Sequence, residues 1–114
     1  MPSARFPIPQ GTLDMLILQI LSLEPAHGYG IAQRLEQISK SVVQVNQGSL
    51  YPALHRLETR GWIAASWDIS DKGKRARYYR LTPLGRKQLT NEQSKWAAFS
   101  RAMGLILKPG DQEG

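Results

Sequence analysis

A short amphipathic segment in the middle of the chain, residues 47–61, constrains the fold most strongly. At about 100° per residue its apolar side chains share one side of a helix; they are Leu50, Ala53, Leu54 and Leu57. The opposite side carries small, hydrogen-bonding and cationic residues, namely Gly48, Pro52, His55, Arg56 and Thr59, with Ser49 and Tyr51 flanking them. Gly61 predicts the end of this helix. Such a surface suits an element that enters the major groove of DNA, but ordinary amphipathic helices share the pattern, so the rest of the chain must decide.

Length and charge narrow the class of protein. A chain of 114 residues is expected to form one domain with its own core. The net charge of +6 predicts a polyanionic partner, either nucleic acid or a membrane surface, although charge can also serve solubility alone. The absence of cysteine excludes disulfides, thiolate catalysis and cysteine-ligated zinc. His27 and His55 lie far apart without carboxylates at ligand spacing, so no metal and no cofactor are expected.

An apolar run at residues 13–23 raises the question of a membrane segment. The run is too short to cross a bilayer, which needs about 20 apolar residues, and Asp14 and Gln19 interrupt it. Only one basic residue, Arg5, precedes it, which argues against a signal peptide. We therefore predict a buried helix here, in a cytoplasmic protein without a membrane partner.

Two helices are predicted before the central segment. Residues 1–9 hold three prolines and are expected to form a flexible arm. The first helix, Gln10 to Leu23, is apolar nearly all round, so a partner subunit is a candidate for its second cover. The second helix is predicted from about Tyr29 to Lys40.

The segments that flank the second helix carry turn and capping signals. His27 precedes it and is expected to cap or pack against the helix rather than to sense pH. The β-branched link of residues 41–46 could pair as a short strand. Asn46 is the expected N-cap of the central helix.

A β-hairpin with a basic tip is predicted after Gly61. Residues 63–69 alternate in the manner of a strand, residues 70–76 form a turn, and residues 77–81 form the second strand. The tip and its flank carry four cations, Lys72, Lys74, Arg75 and Arg77, against the single acid Asp71. A hairpin gains nothing in folding from such a cluster, which favours a role in binding polyanions.

A long helix follows the hairpin. Thr82 is the expected N-cap and Pro83 the first helical residue, and the helix is predicted to end near residue 107, before a polar tail at 108–114. Its apolar residues recur at three- and four-residue steps, as in a coiled coil that needs a partner; they are Leu89, Trp96, Phe99, Met103 and Ile106. The predicted fold is thus α+β but mostly α: a winged helix-turn-helix DNA-binding domain at 10–82, then a dimerisation helix at 83–107.

Four blocks of sequence make this prediction more specific: residues 11–18, 26–31, 48–61 and 77–85. Over residues 10–107 the chain resembles the PadR family of bacterial transcriptional regulators, in its short form. The resemblance implies a homodimeric winged-helix repressor whose first and last helices build the dimer interface. Leu18 of the first helix is then expected at that interface together with the apolar residues of the last helix. One departure is Asn46-Gln47 where many relatives have Ser-Pro, so the operator sequence does not carry over.

The residues expected to contact double-stranded DNA lie on the central helix and the hairpin. Gln47 and Ser49 are expected to meet phosphate or a base edge at the helix N-terminus. Tyr51 is expected to reach the backbone, with a core position as the alternative, and Pro52 to touch a thymine methyl. His55 and Arg56 are candidates for base or phosphate contact. The hairpin cations Lys72, Lys74, Arg75 and Arg77 are expected to neutralise phosphates.

Other functions remain open at this stage. The resemblance implies a small aromatic effector near Met15, Trp96 and Phe99, although plain dimer contacts would use the same residue types. A winged-helix module that binds RNA or another protein would share the fold. An enzyme is not expected, because paired carboxylates, a nucleophile beside a base and a phosphate-binding glycine loop are all missing from the sequence.

Overall fold

The computed structural model describes residues 9–108, so most of the predicted arm and tail lies outside the described residues. The elements are α1 (Gln10–Leu23), β1 (Ala26–His27), α2 (Gly28–Ile38), α3 (Gln47–Thr59), β2 (Ile63–Ile69), β3 (Arg75–Leu81) and α4 (Pro83–Leu107). The predicted order of three helices, a hairpin and a long helix is confirmed, and the chain is mostly helical.

The first helix forms the centre of the core. α2, α3, β3 and α4 all pack against α1, and Ile17 and Leu18 on it are essentially inaccessible to solvent. Leu18, expected at a dimer interface, is 1% exposed within a single chain. Leu89 on α4, also expected at the interface, is 4% exposed within the same chain. Both residues are therefore core residues of one protomer, and the cover of α1 at Leu18 comes from the chain itself and not from a partner subunit.

The sheet has three antiparallel strands in the order β1-β3-β2. Its third strand is Ala26–His27, which pairs with Tyr79 and Tyr78 of β3. The short strand considered possible at residues 41–46 does not form, because these residues lie in a loop. Lys40 and Ser41 have φ angles of 55° and 70°, in the left-handed region, so the helix cannot continue through them and α2 ends at Ile38.

The hairpin is longer and its turn tighter than the sequence predicted. The Ser70 N–H donates to the Lys74 carbonyl at 2.7 Å, and Gly73 adopts a φ of 76° that favours glycine. β3 therefore begins at Arg75, two residues before the predicted start. Arg75 pairs with Ile69 and Arg77 with Trp67, so both arginines lie on strand positions.

A hydrogen-bonded junction joins the end of α3 to the start of α4. The Thr82 hydroxyl accepts from the Gly85 N–H at 3.0 Å, which confirms its role as N-cap, and donates to the Gly61 carbonyl at 2.7 Å. The Thr82 N–H also donates to the Trp62 carbonyl at 3.1 Å. Because these bonds reach both neighbouring segments, the direction of α4 is set relative to α3.

The outer half of α4 extends beyond the core. Among the described residues it carries a row of exposed apolar side chains; they are Trp96, Phe99, Met103, Leu105, Ile106 and Leu107. No helix within residues 9–108 is long and apolar enough to cross a membrane.

The close approach at Gly85 gives a test of the junction. A Cβ on this residue would overlap with the Trp62 carbonyl and lie 2.8 Å from Leu81 Cδ1. We expect Gly85→Ala to destabilise the fold by about 3 kcal/mol, the upper end of over-packing costs, and to lower Tm in a thermal melt. Gly11→Ala is the control, because a Cβ there meets nothing within 4 Å. Equal melting temperatures for the two variants would contradict the tight packing of Gly85 at this junction.

Candidate nucleic-acid interface

The central helix α3 has one buried side and one exposed side, as its sequence predicted. Leu50, Ala53, Leu54 and Leu57 are buried against the core. Gln47, Ser49, Pro52 and His55 are exposed. The Asn46 carboxamide oxygen accepts from the Ser49 N–H at 2.9 Å, which confirms the predicted cap. The helix therefore presents its N-terminal turn and a row of small and polar groups to solvent.

Arg56 does not join that exposed row. Its guanidinium Nη2 donates to Asp14 Oδ1 on α1 at 2.8 Å. Asp14 is 8% exposed and is the one charged or polar side chain that is buried among the described residues. The charge of Arg56 is therefore matched by a buried carboxylate, a pairing that a sequence spacing of 42 residues could not reveal, and its contact with DNA stays a prediction.

Tyr51 lies at the boundary between core and surface. A Cβ on Gly28 would stand 2.8 Å from Tyr51 Oη and 2.9 Å from its Cε1, so the ring rests on the backbone at the start of α2. The side chain is still 45% exposed. Tyr51 is therefore a surface aromatic held in place from one side, and it lines the cleft described below.

The four predicted hairpin cations have different surroundings. Lys72 and Lys74 are exposed and have no acidic partner within residues 9–108. The Arg75 guanidinium lies 4.7 Å from the centroid of the Trp67 ring. Arg77 Nη2 donates to Glu58 Oε2 at 2.6 Å, which ties the hairpin to the last turn of α3. The lysines at the tip thus have no acidic partner in this part of the chain, Arg75 packs on a ring of the hairpin itself, and Arg77 positions the hairpin against α3.

A cleft of about 530 Å³ separates the hairpin from the start of α2 and the N-terminal half of α3. Tyr29, Gln33 and Tyr51 form one wall, and Trp67 with the cationic residues of the hairpin forms the other. Tyr79 lies at the base, where burial raises the pKa of its phenol above the ordinary value of 10.0, so it remains uncharged at neutral pH. The cleft is therefore aromatic on both walls and cationic on one.

Sequence reasoning missed Tyr29 and Trp67 as members of this surface. Trp67 shares the inward face of β2 with Ile63, yet Ile63 is 2% exposed and Trp67 is 59% exposed. The hairpin extends farther than the helices can cover, so its inward face is core at one end and open at the other. The signal was present in the strand length, since seven-residue strands exceed the reach of a core this small.

A second, smaller cleft of about 260 Å³ lies between α1 and α4. Its walls include the three predicted effector residues, Met15, Trp96 and Phe99, together with Gly11, Thr12, Glu92 and Lys95. The Trp96 and Phe99 ring centroids are 5.9 Å apart. Met103 and Ile106 continue the exposed apolar row beyond this cleft.

His27 has a structural role. Its Nδ1 accepts from the Gly30 N–H at 3.0 Å, which confirms the predicted cap of α2. Its ring also packs edge-on against Tyr78 at 5.2 Å. In the described part of the chain no three His, Asp or Glu residues come together in a way that could hold a metal ion.

Comparison with known proteins places this architecture in a family. A family model described as the PadR-like family of transcriptional regulators matches residues 17–91. A transcriptional regulator of Mycobacterium tuberculosis is 40% identical over 75 residues, which cover 66% of each chain. An uncharacterized protein of Lysinibacillus sphaericus is 33% identical over 105 residues, which cover 91% of this chain and 95% of that one.

Solved structures agree with the sequence comparison. The crystal structure of a PadR family transcriptional regulator from Eggerthella lenta is 33% identical, with a TM-score of 0.73 over 87% of this chain and 84% of that chain. A transcriptional regulator from Clostridium thermocellum is 27% identical, with a TM-score of 0.79 over 87% of this chain and 96% of that chain. The similarity therefore extends over the hairpin and into the long helix.

The contact between Gly28 and Tyr51 tests whether the wall of the 530 Å³ cleft takes part in DNA binding. We expect Gly28→Ala to push the Tyr51 ring outward and to weaken binding of duplex DNA about tenfold, or about 1.4 kcal/mol, in fluorescence anisotropy. In a double-mutant cycle with Tyr51→Ala, the second substitution is expected to add nothing, because both act on the same side chain. Unchanged affinity in Gly28→Ala would show that the Tyr51 position is irrelevant to binding.

Proposed function

The chain belongs to the PadR-like family of transcriptional regulators, and from this premise we propose that it is a homodimeric repressor of a palindromic operator, released by a small-molecule effector. The observation that supports DNA binding most is the position of the exposed face of α3 beside a cationic hairpin, with the aromatic cleft between them. Duplex DNA has the matching shape, because its major groove accepts a helix and its phosphates lie on either side.

The exposed residues of α3 would read the groove. Gln47 and Ser49 stand at the helix N-terminus, where backbone N–H groups and the helix dipole favour an anion such as phosphate. Pro52 and His55 lie farther along the exposed side and would meet a thymine methyl and a base edge. Tyr51 would donate its hydroxyl to a backbone phosphate from the wall of the cleft.

The hairpin would hold the phosphate backbone. Lys72 and Lys74 would neutralise phosphates at its tip, and Arg75 would do so from its place over Trp67. Arg77 would contribute less, because Glu58 already pairs with it. These contacts would not distinguish base sequence, but they would position α3 and make binding dependent on salt.

Dimerisation is supported by the exposed apolar row of α4, since soluble monomers rarely leave such rows open. Two subunits joined there would carry two α3 helices into major grooves about 34 Å apart on one face of the duplex. The small cleft between α1 and α4 is about 260 Å³, which is below the roughly 300–1,000 Å³ typical of ligand sites. We therefore place the effector between this cleft and a second subunit, where Met15, Trp96 and Phe99 would contact an aromatic ring.

Selection from random DNA duplexes with the purified protein tests the proposed function. We expect enrichment of a palindrome whose half-sites are about 10 base pairs apart. On that duplex, Lys72→Ala/Lys74→Ala is expected to reduce the slope of log K against log salt by about 2, one unit for each lost phosphate contact. Lys87→Ala, an exposed lysine on α4, is the matched control and is expected to leave the slope unchanged.

Two results would contradict this proposal. Failure to enrich any duplex would remove the repressor function, and enrichment from an RNA pool instead would support the alternative of an RNA-binding module. If the double lysine variant still binds the duplex with unchanged salt dependence, only the proposed phosphate contacts of the hairpin would be wrong.

The dimer interface is tested by placing a charge in the apolar row. Met103→Glu is expected to convert the dimer to a monomer in sedimentation velocity and to weaken operator binding at least 100-fold, because two half-sites no longer bind together. Ser94→Glu adds the same charge on the opposite side of α4 and is expected to remain dimeric. A dimeric Met103→Glu variant, or a monomeric Ser94→Glu variant, would place the interface elsewhere.

A further inference from the structure

We propose that Asp14 is a positioning residue for DNA recognition: through its ion pair with Arg56 it sets the rotation of α3 about the helix axis. The inference rests on the proposed function, because it concerns how α3 meets DNA. Asp14 itself lies on α1, is buried, and is not among the side chains that face the nucleic-acid interface.

The ion pair is not needed to attach α3 to the core. Leu50, Ala53, Leu54 and Leu57 already bury the back of the helix completely. Burying a carboxylate carries a large desolvation cost, and apolar residues of similar volume often give equal or greater stability at such sites. The Nε of Arg56 is in addition buried without a hydrogen-bond partner among the described residues. A stability role alone therefore explains the pair poorly.

What the pair adds to the apolar contacts is direction. Contacts among leucine side chains depend on area and are not directional, so they tolerate small rotations of a helix. A charge-assisted hydrogen bond of 2.8 Å restricts both the distance and the angle between Arg56 and Asp14. Since Arg56 stands between the buried and exposed sides of α3, this restriction determines where Pro52 and His55 point.

The location of the pair along α3 fits this role. Arg56 lies one turn after Pro52 and directly follows His55, the two groove-facing residues farthest from the N-terminal cap. The Arg77–Glu58 pair holds the last turn of α3 to the hairpin. The Asp14–Arg56 pair connects the helix to α1, so that two ion pairs restrain α3 against two different elements.

Asp14→Asn separates this role from direct DNA contact by Arg56. The substitution keeps the shape of the side chain and removes one negative charge. If Arg56 were a DNA contact merely restrained by Asp14, its release would strengthen binding and steepen the salt dependence. If Asp14 positions α3, we expect the affinity for the selected operator to fall at least tenfold, while the affinity for a scrambled duplex stays within threefold and the salt slope is unchanged.

Two further variants keep the test decisive. Glu24→Gln removes one negative charge from the exposed turn after α1 and is expected to behave as the wild type. Asp14→Leu/Arg56→Leu replaces the pair by apolar groups and is expected to keep Tm within a few degrees of the wild type but to lose operator preference. Thermal melts of all variants separate loss of fold from loss of recognition.

The outcomes are distinguishable from failure of the proposed function. Wild-type protein that binds operator and scrambled duplex equally would contradict the repressor proposal itself. With wild-type preference intact, unchanged or stronger operator binding by Asp14→Asn would overturn the positioning role. A double leucine variant that is folded and retains operator preference within threefold would overturn it as well.

Discussion

The junction around Thr82 is the interaction on which the rest of the arrangement depends. One hydroxyl caps α4 through the Gly85 N–H and also donates to the Gly61 carbonyl after α3, while the Thr82 N–H bonds to Trp62. The end of the central helix, the base of the hairpin and the start of the long helix therefore meet at one residue. Because Thr82 bonds to both neighbouring segments, a long exposed helix can extend from a small core with a set direction.

The first helix is equally central, but it acts through apolar contacts and an ion pair and not through backbone hydrogen bonds. Its apolar residues form the middle of the core, Asp14 reaches Arg56 on α3, and Met15 beside it lines the cleft with Trp96. A single helix thus contacts the proposed DNA-reading element on one side and the proposed effector site on another. In this arrangement, a ligand or subunit that moves α1 would act on α3 through the direct contacts between the two helices.

Much of the fold could be predicted from the sequence because local signals agreed with the tertiary structure. The bounds of α1, the Asn46 and Thr82 caps and the buried side of α3 follow from helical spacing and capping chemistry. The third strand could not be predicted, since Ala26–His27 is a strand only because β3 lies beside it. The valine-rich link had strand propensity but no neighbouring edge, and tertiary context overrode propensity.

The sequence predicted which residues of the candidate site are exposed, but it did not predict which side chains form ion pairs. Exposure of Gln47, Ser49, Pro52 and His55 follows from the helical period, whereas the partners of Arg56 and Arg77 depend on contacts across the fold. Leu18 and Leu89 show the same limit, because periodicity marks an apolar side chain without telling whether its own chain or a partner covers it. Trp67 was missed because alternation along a strand does not show where the core beneath it ends.

The most direct test of the account is the distance between the two central helices when the protein is bound to DNA. The chain has no cysteine, so Thr59→Cys gives one spin-label site per subunit at the exposed end of α3. With the dimer on its selected operator, pulsed dipolar spectroscopy is predicted to give a single narrow distance distribution within about 30–40 Å, as one turn of B-DNA requires. A broad distribution, or no dipolar modulation at all, would contradict a rigid pair of reading helices held apart by α4.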